Sequence, residues 1–267
     1  MAMDVGIIGA RGFVGARLLA YLQARGVAVT GYTRETLDLG DPSSFARLGE
    51  HDVVVNCAAK VSGTAAEMFA VNVEALHSLC AELNRRARKP YLLQVSSGAV
   101  YGYADHAVDA QSCAAPVGDY ALTKFLGDEI VRLSYQGVWA IARLYFPYGE
   151  GQAEARLLPR LIRRVLAGET IEVSRQGGCP RISPMYIGDL CEQLHGMASS
   201  KTSGVHLLGG VEVASIAEIA LTIGRIAGVE VKFHEVDGAT SNMFCVGSGQ
   251  VSLEQGLVRL IDSMRGS

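Results

Sequence analysis

The chain has 267 residues, 49% of them apolar and 19% charged, with 24 Lys and Arg against 27 Asp and Glu and a formal charge of −3. That length buries a substantial core and holds one large domain, or one domain with a smaller appendage. The balance of charge lacks the basic excess that marks a nucleic-acid partner.

The opening stretch MAMDVGIIGARGFVGARLLAYL carries Asp4, Arg11 and Arg17, which interrupt any apolar run. It predicts neither a targeting segment nor a bilayer span. Short apolar runs then alternate with longer helical stretches. DVGIIG, VAVTGY, DVVVNCA, PYLLQVSS and VWAIARLYF read as strands too continuously apolar to have a wet face, and 12–25, 42–48, 64–88 and 120–136 read as helical. Such alternation predicts a parallel sheet with helices on both faces. After RLYFPYGEGQ the regularity stops. The pattern predicts a helix over about 154–167, a strand at TIEV and a loop through 175–184. Beyond these it predicts a helix near 188–198, a strand at GVHLLGG, a helix over 214–228, a strand at VEVKFHEV and a last helix over 252–264. With no low-complexity linker between them, 1–150 and 151–267 are expected to pack directly, leaving a cleft, with chain crossovers allowed. Cys57, Cys80, Cys113, Cys179, Cys191 and Cys245 form no C-x-x-C pair and have no His at metal spacing. Reduced thiols in a cytoplasmic protein and no metal site are expected.

GIIGARGFVGARLL sets Gly9, Gly12 and Gly15 between the first strand and a helix. Gly9 suits the sharp turn, Gly12 lets backbone approach a pyrophosphate, and Gly15 allows helix to lie close on strand. The helix-start N–H groups and the positive end of the dipole then hold an anion, with Arg11, Phe13 and Val14 in the same contact set. At the end of the second strand, where an NAD site usually has an acid, the chain has Thr33 and Arg34, with no acid until Glu35. A guanidinium clamps a 2′-phosphate, so NADP(H) is favoured and NAD(H) remains the alternative.

Ser96 and Ser97 end the strand PYLLQVSS, at the edge where open α/β sheets bind ligands. About twenty residues later, GDYALTKFLGDEI puts Tyr120 and Lys124 one turn apart on a helix. A Y-x-x-x-K alone arises often by accident, and its weight comes from company. G-x-x-G-x-x-G at 9–15, LDL at 37–39, VVVNCAA at 53–59, Asn72 in AVNVEAL, SSGAVYG at 96–102, Y-x-x-x-K at 120–124, RLYFPYG at 143–149 and SLEQGL at 252–257 fall in one order. In that order the chain resembles the extended short-chain dehydrogenase/reductase superfamily, nucleotide-sugar epimerases and dTDP-4-dehydrorhamnose reductase-like enzymes among them.

The resemblance implies a Rossmann-type doubly wound parallel sheet with a smaller C-terminal α/β substrate-binding region. It implies Tyr120 as general acid/base, Lys124 as its electrostatic tuner and ribose ligand, and Ser97 as the partner of the reacting oxygen. The residue types suit this: a phenol of reference pKa about 10 needs a nearby cation to ionise, each unit being worth about 1.4 kcal/mol. It further implies Asp38 and Leu39 on the adenine side and Ala58, Ala59 and Lys60 along the cofactor. Asn72 is read either as a support of Lys124 through water or as a polar helix position. Arg181 is implied as a contact of the substrate diphosphate.

Departures narrow the reaction. Dehydratases of this branch carry an Asp-Glu pair where this chain has Gly98 and Ala99, and Phe146 stands where an Asn often grips the substrate. What remains is chemistry of Ser, Tyr, Lys and hydride on a nucleotide-linked sugar. Reduction of a 4-keto group is preferred, 4-epimerisation with a tightly held cofactor is the alternative, and a non-catalytic NADP(H) sensor comes third. The resemblance also implies a homodimer through 64–88 and 120–136, with no membrane partner.

Overall fold

The computed structural model describes residues 3–175, 180–237 and 241–266; part of the loop read over 175–184, with Cys179, lies outside the described residues. Two compact units divide the chain. The first comprises 1–102, 113–143 and 191–206, and the second 103–112, 144–190 and 207–267.

In chain order the first unit begins with β1 (Asp4–Ile8), α1 (Phe13–Gln23), β2 (Ala28–Tyr32), β3 (Val53–Asn56), α2 (Ala65–Phe69), α3 (Ala75–Arg85), β4 (Tyr91–Ser97), α4 (Asp119–Ser134) and β5 (Trp139–Leu144). The second unit contributes β6 (Pro147–Tyr148), α5 (Leu157–Leu166), β7 (Ile171–Ser174), β8 (Arg181–Ile182) and β9 (Met185–Tyr186). Then α6 (Ile187–Ser200) and β10 (Gly204–Leu208) lead to β11 (Ala214–Ser215), α7 (Ile216–Ala227), β12 (Phe233–Val236) and α8 (Leu253–Arg265).

Six strands form the main sheet in the order β10-β5-β4-β3-β1-β2, with β1 pairing in parallel to β2 and β3, and β3 in parallel to β4. The chain leaves β1 toward one side for β2 and returns to its other side for β3, so strand order reverses between β1 and β3. Open α/β sheets bind ligands beyond the strand ends at such a reversal.

The central strands bury nearly every residue: Val5, Ile7 and Ile8, Val53 to Val55, Leu92 and Leu93, and Ala140 to Ala142. Sheets covered on both faces read as unbroken apolar runs for this reason. One core cluster joins Ile8, Val54, Leu92 and Ile141 of the sheet to Leu76, Leu79 and Leu83 of α3 and Val131 of α4. Each such side chain contributes about 1.5–3 kcal/mol by leaving water. VAVTGY differs from its expectation. Ala28 and Thr30 are exposed, because β2 is an edge strand with one neighbour.

Two helical stretches also differ in kind. Residues 42–47 form a short 3-10 turn, with Asp41 accepting from the Ser43 N–H at 3.0 Å and Pro42 at its start. Phe45 packs from it into the α3 and α4 cluster. The stretch read as one helix over 64–88 is α2 and α3 joined by a wider π-helical turn, Ala70–Glu74. Thr64 and Glu67 cap its start reciprocally.

Within the second unit, β6 and β9 pair in parallel, as do β7 and β12, while β8 and β11 are antiparallel. Asp189 holds the approach to α8, its Oδ2 accepting from the Gln250 and Val251 N–H groups at 2.7 and 2.8 Å. A side chain at Gly256 would meet the Tyr148 hydroxyl at 2.0 Å, which fixes glycine in SLEQGL. Among the described residues, no helix is long and apolar enough to cross a membrane, and no His, Cys, Asp and Glu group could hold a metal.

Candidate active site at the strand ends

The glycine turn after β1 is tightest at Gly9 and Gly15. Gly9 has φ +82°, and a Cβ there would meet the Ala58 nitrogen at 2.7 Å, so the turn lies against the end of β3. A Cβ on Gly15 would strike the Gly9 carbonyl oxygen at 2.3 Å, which forces α1 and the β1 turn into close approach. At Gly12 the contact is a milder 3.3 Å to that oxygen. Gly12 also starts α1 without a side-chain cap, and no acid stands in the first turn. A helix end lacking both retains its preference for an anion. The residues present therefore fit a dinucleotide pyrophosphate. Gly12 and Arg11 are exposed, and Phe13 and Val14 half-buried, around that end.

After β2 the charges pair among themselves. Arg34, exposed, pairs with Asp38 at 3.4 Å through Nε, while Arg11 pairs with Glu35. The Thr33 hydroxyl donates to Glu35 at 2.6 Å and, ahead of Arg11, holds its carboxyl below the usual carboxylate range. Glu35 lies one residue past Arg34, beyond the position where an NAD site usually has its acid. Its contact with Arg11 puts it beside the glycine turn. Asp38 Oδ1 accepts from the Gly40 N–H at 2.9 Å, and Leu39 turns its side chain into the core. At the end of β3, Ala58 is half-buried, Ala59 exposed, and Lys60 pairs with Glu67 at 3.4 Å.

Asn72 sits on the π-helical turn and is 5% exposed, with every polar atom engaged. Its Oδ1 accepts from the Lys60 N–H at 2.8 Å, and its Nδ2 donates to the Lys60 carbonyl at 2.8 Å and to the Thr123 hydroxyl at 3.0 Å. The Thr123 hydroxyl in turn donates to the Tyr120 carbonyl at 2.9 Å. Asn72 thus clamps the chain beyond β3 to the turn of α4 that bears Tyr120 and Lys124.

Gly118, with φ +82°, precedes α4 and lets the chain enter the helix directly at Asp119. Lys124 is buried on that helix, and its Nζ donates to the Val95 carbonyl at 2.8 Å. Burial pulls the Lys124 ammonium below its ordinary value, while Asp128 opposes that pull. Ser97 ends β4 half-buried, its Oγ accepting from the Ala99 N–H at 3.1 Å and starting the turn Gly98–Tyr101. Tyr120 is half-buried and carries further interactions of its own. Lys124 thereby ties α4, which also bears Tyr120, to the strand that ends in Ser97.

Two residues given no site role in the sequence complete this corner. Asp128, one turn beyond Lys124 and 1% exposed, accepts from Arg143 Nε at 2.9 Å. Arg143 Nη1 donates to the Tyr101 hydroxyl at 2.6 Å, with the guanidinium 4.8 Å from that ring's centroid. The signal for the first was present as a carboxylate four residues beyond Lys124; the pairing with Arg143 needed the fold.

The two remaining candidates belong to the second unit. Phe146 is half-buried with φ +42°, and its carbonyl accepts from the Met185 N–H at 3.2 Å. Arg181 is exposed, and its backbone N–H donates to Asn242 Oδ1 at 2.9 Å.

The model of the NAD dependent epimerase/dehydratase family matches residues 5–209. A curated dTDP-4-dehydrorhamnose reductase of Mycolicibacterium smegmatis is 30% identical over 205 residues, 71% of this chain and 58% of that protein. The chain thus spans under two thirds of that relative's length. Among solved structures, the UDP-glucose 4-epimerase of Thermus thermophilus in complex with NAD superposes with a TM-score of 0.85 at 20% identity, covering 99% of this chain and 100% of that one. The dTDP-4-dehydrorhamnose reductase of Bacillus anthracis str. Ames, in complex with NADP, gives 0.85 at 19%, covering 98% of each chain. At these identities the two structures establish the fold alone. With the ordered motifs, the reversal at β1 and β3 and the match over most of its length, the chain belongs to the NAD dependent epimerase/dehydratase family of enzymes, within the extended short-chain dehydrogenase/reductase superfamily.

Proposed function

We propose that this enzyme reduces the 4-keto group of a nucleotide-linked sugar, with NADPH favoured as its cofactor. The observation that carries this reading is the pinning of α4, by Lys124, to the strand that ends in Ser97. The curated reductase relative supports the choice of reaction.

The Gly9 to Gly15 turn and the uncapped start of α1 hold the pyrophosphate, while Arg34 and Thr33 take the 2′-phosphate. Asp38 and the backbone at Leu39 face the adenine side, and Ala58, Ala59 and Lys60 line the remainder. The bound cofactor supplies the hydride. The Ser97 hydroxyl donates to the sugar's carbonyl oxygen and polarises it. Tyr120 gives its phenolic proton to that oxygen as the carbon is reduced, and the Lys124 ammonium favours the phenolate left behind. Solvent returns the proton to Tyr120. Arg181 offers a guanidinium to a diphosphate, and the region from 151 onward, with Phe146, sets the choice of sugar.

A second reading, 4-epimerisation with tightly held NAD, is favoured by Glu35, whose ionised carboxylate suits a ribose 2′-hydroxyl. It is also favoured by the epimerase-like SSGAVYG segment. A sensor has little need of hydroxyl, phenol and ammonium together. A panel of nucleotide sugars and 4-keto derivatives, followed at the NADPH absorbance with products resolved by NMR, separates the readings. Stoichiometric NADPH loss supports the reductase. Product without net NADPH loss, from protein that copurifies with cofactor, supports the epimerase. Binding with no product across the panel leaves the sensor.

A further inference from the structure

The geometry points to Asp128 as a positioning residue that shares one buried carboxylate between two buried cations, Lys124 and Arg143, and so maintains Lys124 as an ammonium while tying α4 to the Ser97 turn. This rests on the functional reading above, in which Lys124 must carry charge.

Lys124, Asp128 and Arg143 are 4%, 1% and 6% exposed, so the three charges lie away from water together. An isolated buried cation is expensive, and it persists only beside a counter-charge. Asp128 stands one helical turn from Lys124, on the same face of α4. One of its oxygens, Oδ2, takes Arg143 Nε, and the other, Oδ1, is buried without a hydrogen-bond partner, as is the Ser96 hydroxyl. Burial pushes the Asp128 carboxyl up, and Arg143, Ser96 and Lys124 oppose that push in favour of the carboxylate. One turn before Lys124 on α4 stands the Tyr120 phenol, and the groups that face Lys124 from other elements are neutral or cationic. From β4 it meets the neutral Val95 carbonyl. Beyond β3 it meets Cys57, whose thiol burial pushes up to about 12, leaving it uncharged at neutral pH. From β5 comes only Arg143, a cation bound to the same carboxylate.

The second half of the role is mechanical. Arg143 carries the constraint from Asp128 to the Tyr101 hydroxyl. Tyr101 closes the 3-10 turn that Ser97 opens. Asp128 thus couples the helix of the phenol and ammonium to the turn of the hydroxyl, through β5.

The test is the titration of Lys124 itself, read from its 13Cε and 15Nζ resonances and assigned through Lys124→Arg. It uses the full chain without substrate, so it does not pass through turnover. Asp128→Asn is expected to lower the Lys124 midpoint by about 1–3 units, the range for loss of one adjacent opposite charge. Asp128→Glu should restore most of that shift. A folded Asp128→Asn protein whose Lys124 midpoint is unchanged overturns the inference. If Asp128→Asn does not fold, Asp128→Ser decides by the same readout: a lowered Lys124 midpoint supports the role and an unchanged or raised one refutes it. Failure here and failure of the functional reading are separable. An unmoved midpoint with an inactive Tyr120→Phe variant removes only the role of Asp128, and a shifted midpoint with an active Tyr120→Phe variant removes only the proposed chemistry.

Discussion

Lys124 Nζ donates to the Val95 carbonyl at 2.8 Å, two residues before Ser97 on the same strand. Burial depresses the folded-state value of this lysine, so the folded protein releases its proton before the unfolded chain does, whose lysine titrates near about 10.4. Between those two values the unfolded state binds more protons, and stability rises with pH. Urea denaturation across neutral to alkaline pH should therefore show the native protein gaining stability relative to Lys124→Met as pH climbs through that window. A difference that stays flat would contradict the burial of the ammonium.

Tyr120→Phe keeps the ring and removes the proton. Turnover should fall by about 10²–10⁴-fold, the usual contribution of a placed acid or base. The loss should appear in the chemical step under single-turnover conditions, with cofactor affinity nearly unchanged. Near-normal turnover would remove Tyr120 from the mechanism.

Arg34 and Glu35 make opposed demands on the cofactor. Arg34→Ala should weaken NADPH by about ten-fold or more, consistent with about 1.5–3 kcal/mol for a charge-assisted hydrogen bond, and leave NADH little affected. Glu35→Gln should weaken NADH more than NADPH. Fluorescence titration of both variants with both cofactors gives the four constants needed, and equal effects on the two cofactors would exclude 2′-phosphate recognition by Arg34.

Phe146 has φ +42°, in the left-handed region where a bulky residue is strained by about 1–2 kcal/mol. Asn tolerates that conformation better than Ala does, and both substitutions remove the ring. Phe146→Asn should therefore leave the protein more stable than Phe146→Ala by about 1 kcal/mol in chemical denaturation. Equal stabilities would mean that the backbone relaxes once the ring is gone.

Much of the candidate site was legible because its parts are local. Gly9, Gly12 and Gly15 lie within seven residues, and each answers to a nearby backbone requirement. Tyr120 and Lys124 are neighbours by helical spacing alone. Asn72 was legible as a position but not as a clamp, since its partners Lys60 and Thr123 lie 12 and 51 residues away in sequence. The Glu35 contact with Arg11 was not legible, because a place counted from the strand end says nothing of a residue 24 positions earlier.

Sequence alone determined the alternation of strands and helices, the glycine turn and the one-turn spacing of phenol and ammonium, since each depends on periodicity or on backbone freedom over a few residues. Tertiary structure decided that β2 and β10 are sheet edges, that residues 42–47 coil as a 3-10 turn, and that the carboxylate at 128 pairs with the guanidinium at 143. Burial and charge pairing are properties of which distant segments meet, and no local pattern of residues encodes the distance between them.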